Sequence, residues 1–242
     1  MSNPITTHGL NAVPASHSAL LSGTPEHPAP PHPAPPFTVS DTPVPYTPLA
    51  KRIQGYAHSR LPEQTYNHSM RVYHYGLAIK HYRFPSWSFS DETYFLACML
   101  HDIGTTDENL RKTKLSFEFQ GGMEAMEVLS TGEAVAELEQ AESVAEAIIR
   151  HQDLCEVGKI TSLGMLVQLA TVFDNMGSYE NLVHPSTIEN VVAQFPRLKW
   201  ASCFAATLRK EMNLKPWAHT TAMGEEKFPA DVEGNKLMAK YE

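Results

Sequence analysis

The dipeptide His101-Asp102 closes the apolar run Tyr94-Phe-Leu-Ala-Cys-Met-Leu100 and is followed by Ile103-Gly104. A run of this kind on a helical pattern has to be buried, and it carries the imidazole and the carboxylate at its end into the interior. Buried without partners, both groups are costly. The chain must therefore fold so that something compensating reaches them, and a divalent metal shared with further ligands does this most simply.

Helical spacing identifies those ligands. On a helix from Pro62 to about Tyr82, His68 shares its face with Val72, Tyr75 and Ile79. Asp102 shares a stripe with Phe95, Cys98 and Met99, and His101 one with Tyr94, Ala97 and Cys98. Asp174 lies on the apolar face of Val167, Ala170 and Thr171. Four polar side chains thus project from apolar faces of three helices, in the order His…His-Asp…Asp. The spacing predicts a metal held by His68, His101, Asp102 and Asp174.

The remaining chain of 242 residues reads as helical from Pro48 onward, with almost no strand-type alternation. Further helices are expected from Ser90, stopped by Gly104; from Ser116, weakened by Gly121-Gly122; over Ala141–Gln152; over Ser162–Met176, ended by Gly177; from Pro185; and over Leu198–Met212. Residues 228–242 form either a last helix or a loose tail. Residues 1–46 differ. Together with Pro48 they hold twelve of the eighteen prolines, including the run His27-Pro-Ala-Pro-Pro-His-Pro-Ala-Pro-Pro36. Proline at that density blocks helices and ladders, so an extended or disordered arm is expected, with His8, His17, His27 and His32 solvated rather than forming a metal tract. The expected organisation is an arm over 1–46 and an all-α catalytic domain over 47–242.

A net charge of −8 argues against nucleic acid or an anionic membrane as the main partner. No apolar run reaches the length of a membrane span. No Lys or Arg precedes Lys51, so the charged start of a secretory signal is absent. Cys98, Cys155 and Cys203 lack CxxC spacing and read as free thiols, which suits the cytoplasm or the nucleus. Trp87, Phe89 and Trp200 are read as exposed aromatics marking an interface, so a homo-oligomer is expected.

The pattern His68, His101-Asp102, Asp174 resembles that of the HD-domain metallohydrolases. The stretches Thr93–Thr106, Lys112–Gly122, Ala141–Asp153, Lys159–Gly164 and Lys215–Thr221 resemble the cyanamide hydratase branch of that superfamily, and the likeness extends over roughly 48–223. The resemblance implies a single HD-type helical bundle and a zinc enzyme that adds water to the nitrile of a small-molecule substrate, cyanamide, to give urea. Two imidazoles and two carboxylates also suit iron or manganese. The site then needs a group that moves a proton. His151, on the apolar face of Val144, Ala147 and Ile148, is the candidate, either as that group or as an additional ligand. Thr171, one turn before Asp174, is the candidate for hydrogen bonding to substrate or water. Thr105, Asp107 and Lys114 follow the metal motif near the entrance but read as structural. A nucleotide phosphohydrolase is the rival reading, with Arg111, Lys112, Lys114, Arg150 and Lys159 as possible phosphate partners; another small nitrile or an isocyanide is a further alternative substrate.

Overall fold

Asn3 and Ser16 open the first two helices. Each side chain accepts from a first-turn backbone N–H, of Ile5 and Ala19 respectively, which the helix cannot satisfy by itself. Helices α1 (Pro4–Thr7) and α2 (His17–Leu21) flank strand β1 (Ala12–Pro14). This strand pairs antiparallel with β2 (Lys159–Thr161), Val13 opposite Ile160. The computed structural model describes residues 3–23 and 29–242.

The proline-rich start is thus not a featureless arm. His8 is buried and meets Thr93 at 3.0 Å through Nδ1, while its carbonyl accepts from the Ser143 hydroxyl. His17 is buried and meets Gln168 at 3.0 Å, and Leu20 is fully enclosed. Both histidines were expected in solvent; non-local partners in the helical bundle draw them in. Residues 29–46 do lack long helices, as their prolines require, but they run along the bundle. Tyr82 donates to His32 O, Thr187 accepts from Phe37 N, and Tyr73 donates to Pro43 O. His27 lies outside the described residues.

Thr47 caps α3 (Pro48–Arg60) through Ala50 N, with Pro48 in the first turn, where its missing N–H costs nothing. Then come α4 (Glu63–Arg83), α5 (Asp91–Leu100), the short α6 (Asp107–Lys112), α7 (Phe117–Ser130), α8 (Leu138–Arg150), α9 (Ser162–Met176), α10 (Pro185–Gln194), α11 (Trp200–Leu214) and α12 (Lys227–Glu233). Helix α6 was not anticipated. Its signals are local, with Thr106 accepting from Asn109 N and Asp107 pairing with Arg111 four residues on. The chain's last stretch is tied down rather than loose, since Phe228, Val232 and Met238 are buried. Apart from the two-stranded sheet, the fold of the described residues is all-α.

Helices α4, α5 and α9 form the centre. Residues 93–100 of α5 and 162–175 of α9 are all buried. Helices packed on every side lose the polar face of a surface helix, so their sequences read as apolar all round. A second, smaller core joins Trp200, Phe204 and Leu208 of α11 to Phe117, Phe228 and Val232. Trp87, Phe89 and Trp200 are buried, with at most 7% exposure, and so cannot mark an exposed interface. Trp87 stacks on Phe84 at 4.0 Å. Among the described residues no helix is long and apolar enough to cross a membrane.

Gly104 does not act as a left-handed helix stop. Helix α5 already ends at Leu100, and a 3-10 turn over Ile103–Thr105 follows. A Cβ at Gly104 would lie 2.0 Å from Phe117 O, so the glycine allows the start of α7 to press directly on the turn after His101-Asp102. Gly121 and Gly122 likewise let α7 approach Ile148 and Ile149 of α8 instead of weakening the helix.

Candidate metal centre

Helix α4 supplies His68 and the end of α5 supplies His101 and Asp102. All three are at most 1% exposed, and each offers a ligand atom within 4.8 Å of the other two. His68 Nε2 lies 3.7 Å from Asp102 Oδ2, and His101 Nε2 lies 3.3 Å from the same oxygen. Neither nitrogen has a hydrogen-bond partner, nor does either oxygen of Asp102. The other nitrogen of each ring is engaged: His101 Nδ1 donates to Cys98 O at 2.7 Å and His68 Nδ1 to Asp174 Oδ2 at 2.6 Å. Both rings are thereby held with Nε2 directed at the carboxylate.

Such a set fits a divalent cation. Buried polar groups nearly always find a partner, and here four acceptor atoms converge without one. The electrostatics agree. Burial pushes His68 down to about 4, keeping its imidazole neutral. Burial also works against a charged His101, yet the Asp102 carboxylate and the Cys98 carbonyl outweigh it and push His101 upward. Burial opposes the Asp102 charge as well, but His101 and then His68 hold its carboxyl well below the usual range.

Asp174 is placed differently from the expectation. Its side chain is fully buried at the end of α9, but it is not among the converging ligand atoms. Arg71 donates to it through Nε at 3.0 and 3.2 Å and through Nη2 at 2.9 Å. Arg197 donates through Nη1 at 2.8 Å, and His68 takes the remaining direction. Burial disfavours this charge, but the two guanidinium groups hold the carboxyl well below its ordinary range. Two arginines compete for the oxygens that a metal would need, and the structure sets Asp174 behind His68 instead of beside the cluster.

His151, just past the end of α8, is 3% exposed, and its Nε2 lies 3.9 Å from Asp102 Oδ1. Its Nδ1 donates to Ile148 O at 2.6 Å, so Nε2 carries the lone pair. Burial, helped by nearby His101, pushes it down to about 4. Thr171 donates to Gln168 O at 3.0 Å, leaving its lone pairs free to accept. His151 and Thr171 line one small cleft, whose other wall is apolar and includes Leu154, Met176, Met223 and Phe228.

Several residues here gave no clear signal in the sequence. Arg71 sits three residues after His68 on the same helix, and a charge inside a buried stretch was its only mark. Arg197 lies in a loop with no periodicity. Trp200 stacks on the His68 ring at 4.2 Å and 14°, forming its floor, and donates to Asn175. The residues near the entrance are structural. Thr105 bonds Asp102 O, and Asp107 pairs with Arg111 and Lys210. Three of the five cations considered for phosphate are engaged elsewhere: Arg111 with Asp107, Lys112 with Glu124, and Arg150 with Glu146 and Asp153.

Residues 65–176 match the HD domain family and so span the whole constellation from α4 to α9. Two proteins of Saccharomyces cerevisiae, cyanamide hydratase DDI2 and cyanamide hydratase DDI3, are each 44% identical to this chain over 186 residues, covering 76% of it and 81% of each relative. With a buried His-His-Asp cluster inside the matched region and an identity this high over most of its length, the chain belongs to the cyanamide hydratase family of HD-domain proteins.

Proposed function

We propose that this protein is a metal-dependent hydro-lyase that adds water to the nitrile of cyanamide and releases urea. The observation that carries this reading is the 44% identity to two cyanamide hydratases over three quarters of the chain. The donor set agrees with it. His68, His101 and Asp102 would hold the metal, and two imidazoles with a carboxylate suit zinc, the ion we assign. A metal in such a site supplies a Lewis acid that brings the pKa of water down to about 7.

The chain's own residues provide the rest. His151 Nε2 is an unprotonated acceptor directed at the cluster, suited to take a proton from the attacking water. Thr171 presents lone pairs to the same cleft and accepts from water or from the amino group of the substrate. Water oxygen bonds to the nitrile carbon, the nitrile nitrogen takes back the proton held by His151, and the isourea formed tautomerises to urea. The apolar wall of Met176, Met223 and Phe228 excludes bulk water from a substrate that is small and uncharged. Asp174 orients His68. The unit spans 47–242 with the N-terminal segment as its cover, and its free thiols suit the cytoplasm.

The deciding experiment is incubation of the metal-analysed protein with cyanamide and, separately, with a nucleotide panel, scoring urea and phosphate. Urea release that tracks metal content is expected. Phosphate release, or no urea from fully loaded protein, would overturn the reading.

A further inference from the structure

The small cleft that holds His151 and Thr171 is lined by two further polar side chains, Gln152 and Asn175, which have no task in the reaction described above. They are buried, at 6% and 5% exposure. Their places follow from the helices. Asn175 stands four residues after Thr171 on α9, so the two side chains lie one turn apart on the same face. Gln152 follows His151 directly, just past the end of α8. The ends of two helices thus bring two polar side chains each to one cleft.

The Asn175 amide has a fixed direction. Trp200 Nε1 can only donate, and it donates to Asn175 Oδ1 at 2.8 Å. The oxygen is therefore held toward the indole, and Nδ2, on the other branch of the amide, keeps two N–H groups that no described residue accepts. Trp200 also stacks on the His68 ring, so one indole sets both the amide and a ligand ring. Gln152 shows the complementary lack, since its Oε1 is buried and accepts from nothing. Buried polar groups nearly always find a partner. A free amide donor and an orphaned amide acceptor lining one cleft call for a small ligand that both accepts and donates.

We propose that Asn175 and Gln152 hold the two ends of the substrate, Asn175 Nδ2 donating to the nitrile nitrogen and Gln152 Oε1 accepting from the amino N–H. This inference rests on the hydratase reading above. The two contacts act differently. As the O–C bond forms, one π pair of the nitrile moves onto nitrogen, and negative charge gathers there. A donor already aimed at that atom strengthens as the charge grows, which lowers the barrier instead of merely binding substrate. Asn175 transfers no proton. The proton that water gave to His151 goes to the nitrile nitrogen, and the isourea tautomerises to urea. The amino group keeps its N–H bonds while carbon is attacked, so Gln152 holds the substrate and the reacting form about alike. It decides which nitrile is accepted. A nitrile without N–H leaves Oε1 buried and unpaired, the penalty by which a polar site rejects an analogue. With Gln152 on the amino group, Thr171 is left for the attacking water.

The test measures kcat, KM and metal content on cyanamide for wild type, Asn175→Asp, Asn175→Ala and Gln152→Met. Wild type is also given dimethylcyanamide, which has the nitrile but no N–H, with dimethylurea scored. Asn175→Asp keeps the shape and the acceptor for Trp200 but removes the donor. In both Asn175 variants kcat should fall on the order of 100-fold, with KM within about threefold and metal content unchanged. A purely structural Asn175 would instead be rescued by Asp. Gln152→Met should raise KM on the order of 10-fold and leave kcat within about threefold. Wild type should hydrate dimethylcyanamide with kcat/KM lower by at least on the order of 100-fold. An Asn175→Asp enzyme within about threefold of wild-type kcat overturns the proposal. So does dimethylcyanamide hydrated as well as cyanamide, a comparison that needs no variant to fold. A wild type that releases no urea from cyanamide overturns the hydratase reading itself, and this inference with it.

Discussion

His68 Nδ1 and Asp174 Oδ2 lie 2.6 Å apart, both fully buried, and this bond decides which nitrogen of His68 faces the cluster. Asp174 is itself fixed by Arg71 and Arg197, and Arg197 continues to Glu242 near the end of the chain at 2.7 Å. Asp174→Asn leaves the buried Arg71 guanidinium without its counter-charge and Arg197 with Glu242 alone. A loss of about 3–5 kcal/mol is expected in chemical denaturation, with metal affinity lowered roughly 10- to 100-fold. Unchanged metal affinity in a folded Asp174→Asn protein would show that this bond does not tune the site.

The cluster should couple metal to stability. Free metal at one hundred times its dissociation constant is expected to add about 2.7 kcal/mol. Chelation should therefore lower the melting temperature of the wild type, and metal should restore it. His101→Ala and Asp102→Ala should lose both the shift and the activity. A full metal-induced shift in either variant would place the ion elsewhere.

His151 is separable from the ligands. His151→Ala is expected to keep the metal-induced shift and to lose roughly 10²- to 10⁴-fold in kcat. Should metal binding vanish together with the rate, His151 is an additional ligand rather than the proton acceptor.

Acid should destabilise the fold well above the range where carboxylates titrate. Burial pushes His68, His74 and His151 each down to about 4, whereas in the unfolded chain they take up protons near 6.5. Their contribution is complete above about pH 6.5 and declines as pH falls toward 4, by up to about 1.4 kcal/mol per pH unit for each histidine. His101, shifted upward, works in the opposite sense. Denaturation midpoints of metal-free protein at pH 7.5 and 5 measure the balance; equal midpoints contradict it.

Much of the helical frame was legible because its signals are local. Ser90 caps α5 as its type and place predict, and Pro48 and Pro185 open helices. The inward aim of His68, His101, Asp102, His151 and Asp174 followed from periodicity alone, because a side chain on an apolar face goes where that face goes. The N-terminal segment was misjudged because proline composition describes local backbone freedom, whereas His8, His17 and Leu20 are held by residues more than sixty positions away.

What the sequence by itself determined is a helical bundle with an HD constellation turned inward. Tertiary structure decided which inward-facing groups converge. Asp174 shares the apolar aim of Asp102, but Arg71 and Arg197 reach only the former, so one carboxylate is neutralised by the protein and the other is left open. Periodicity gives a side chain's direction, but its partners come from other helices, and only the packed arrangement shows which buried charges those partners leave open.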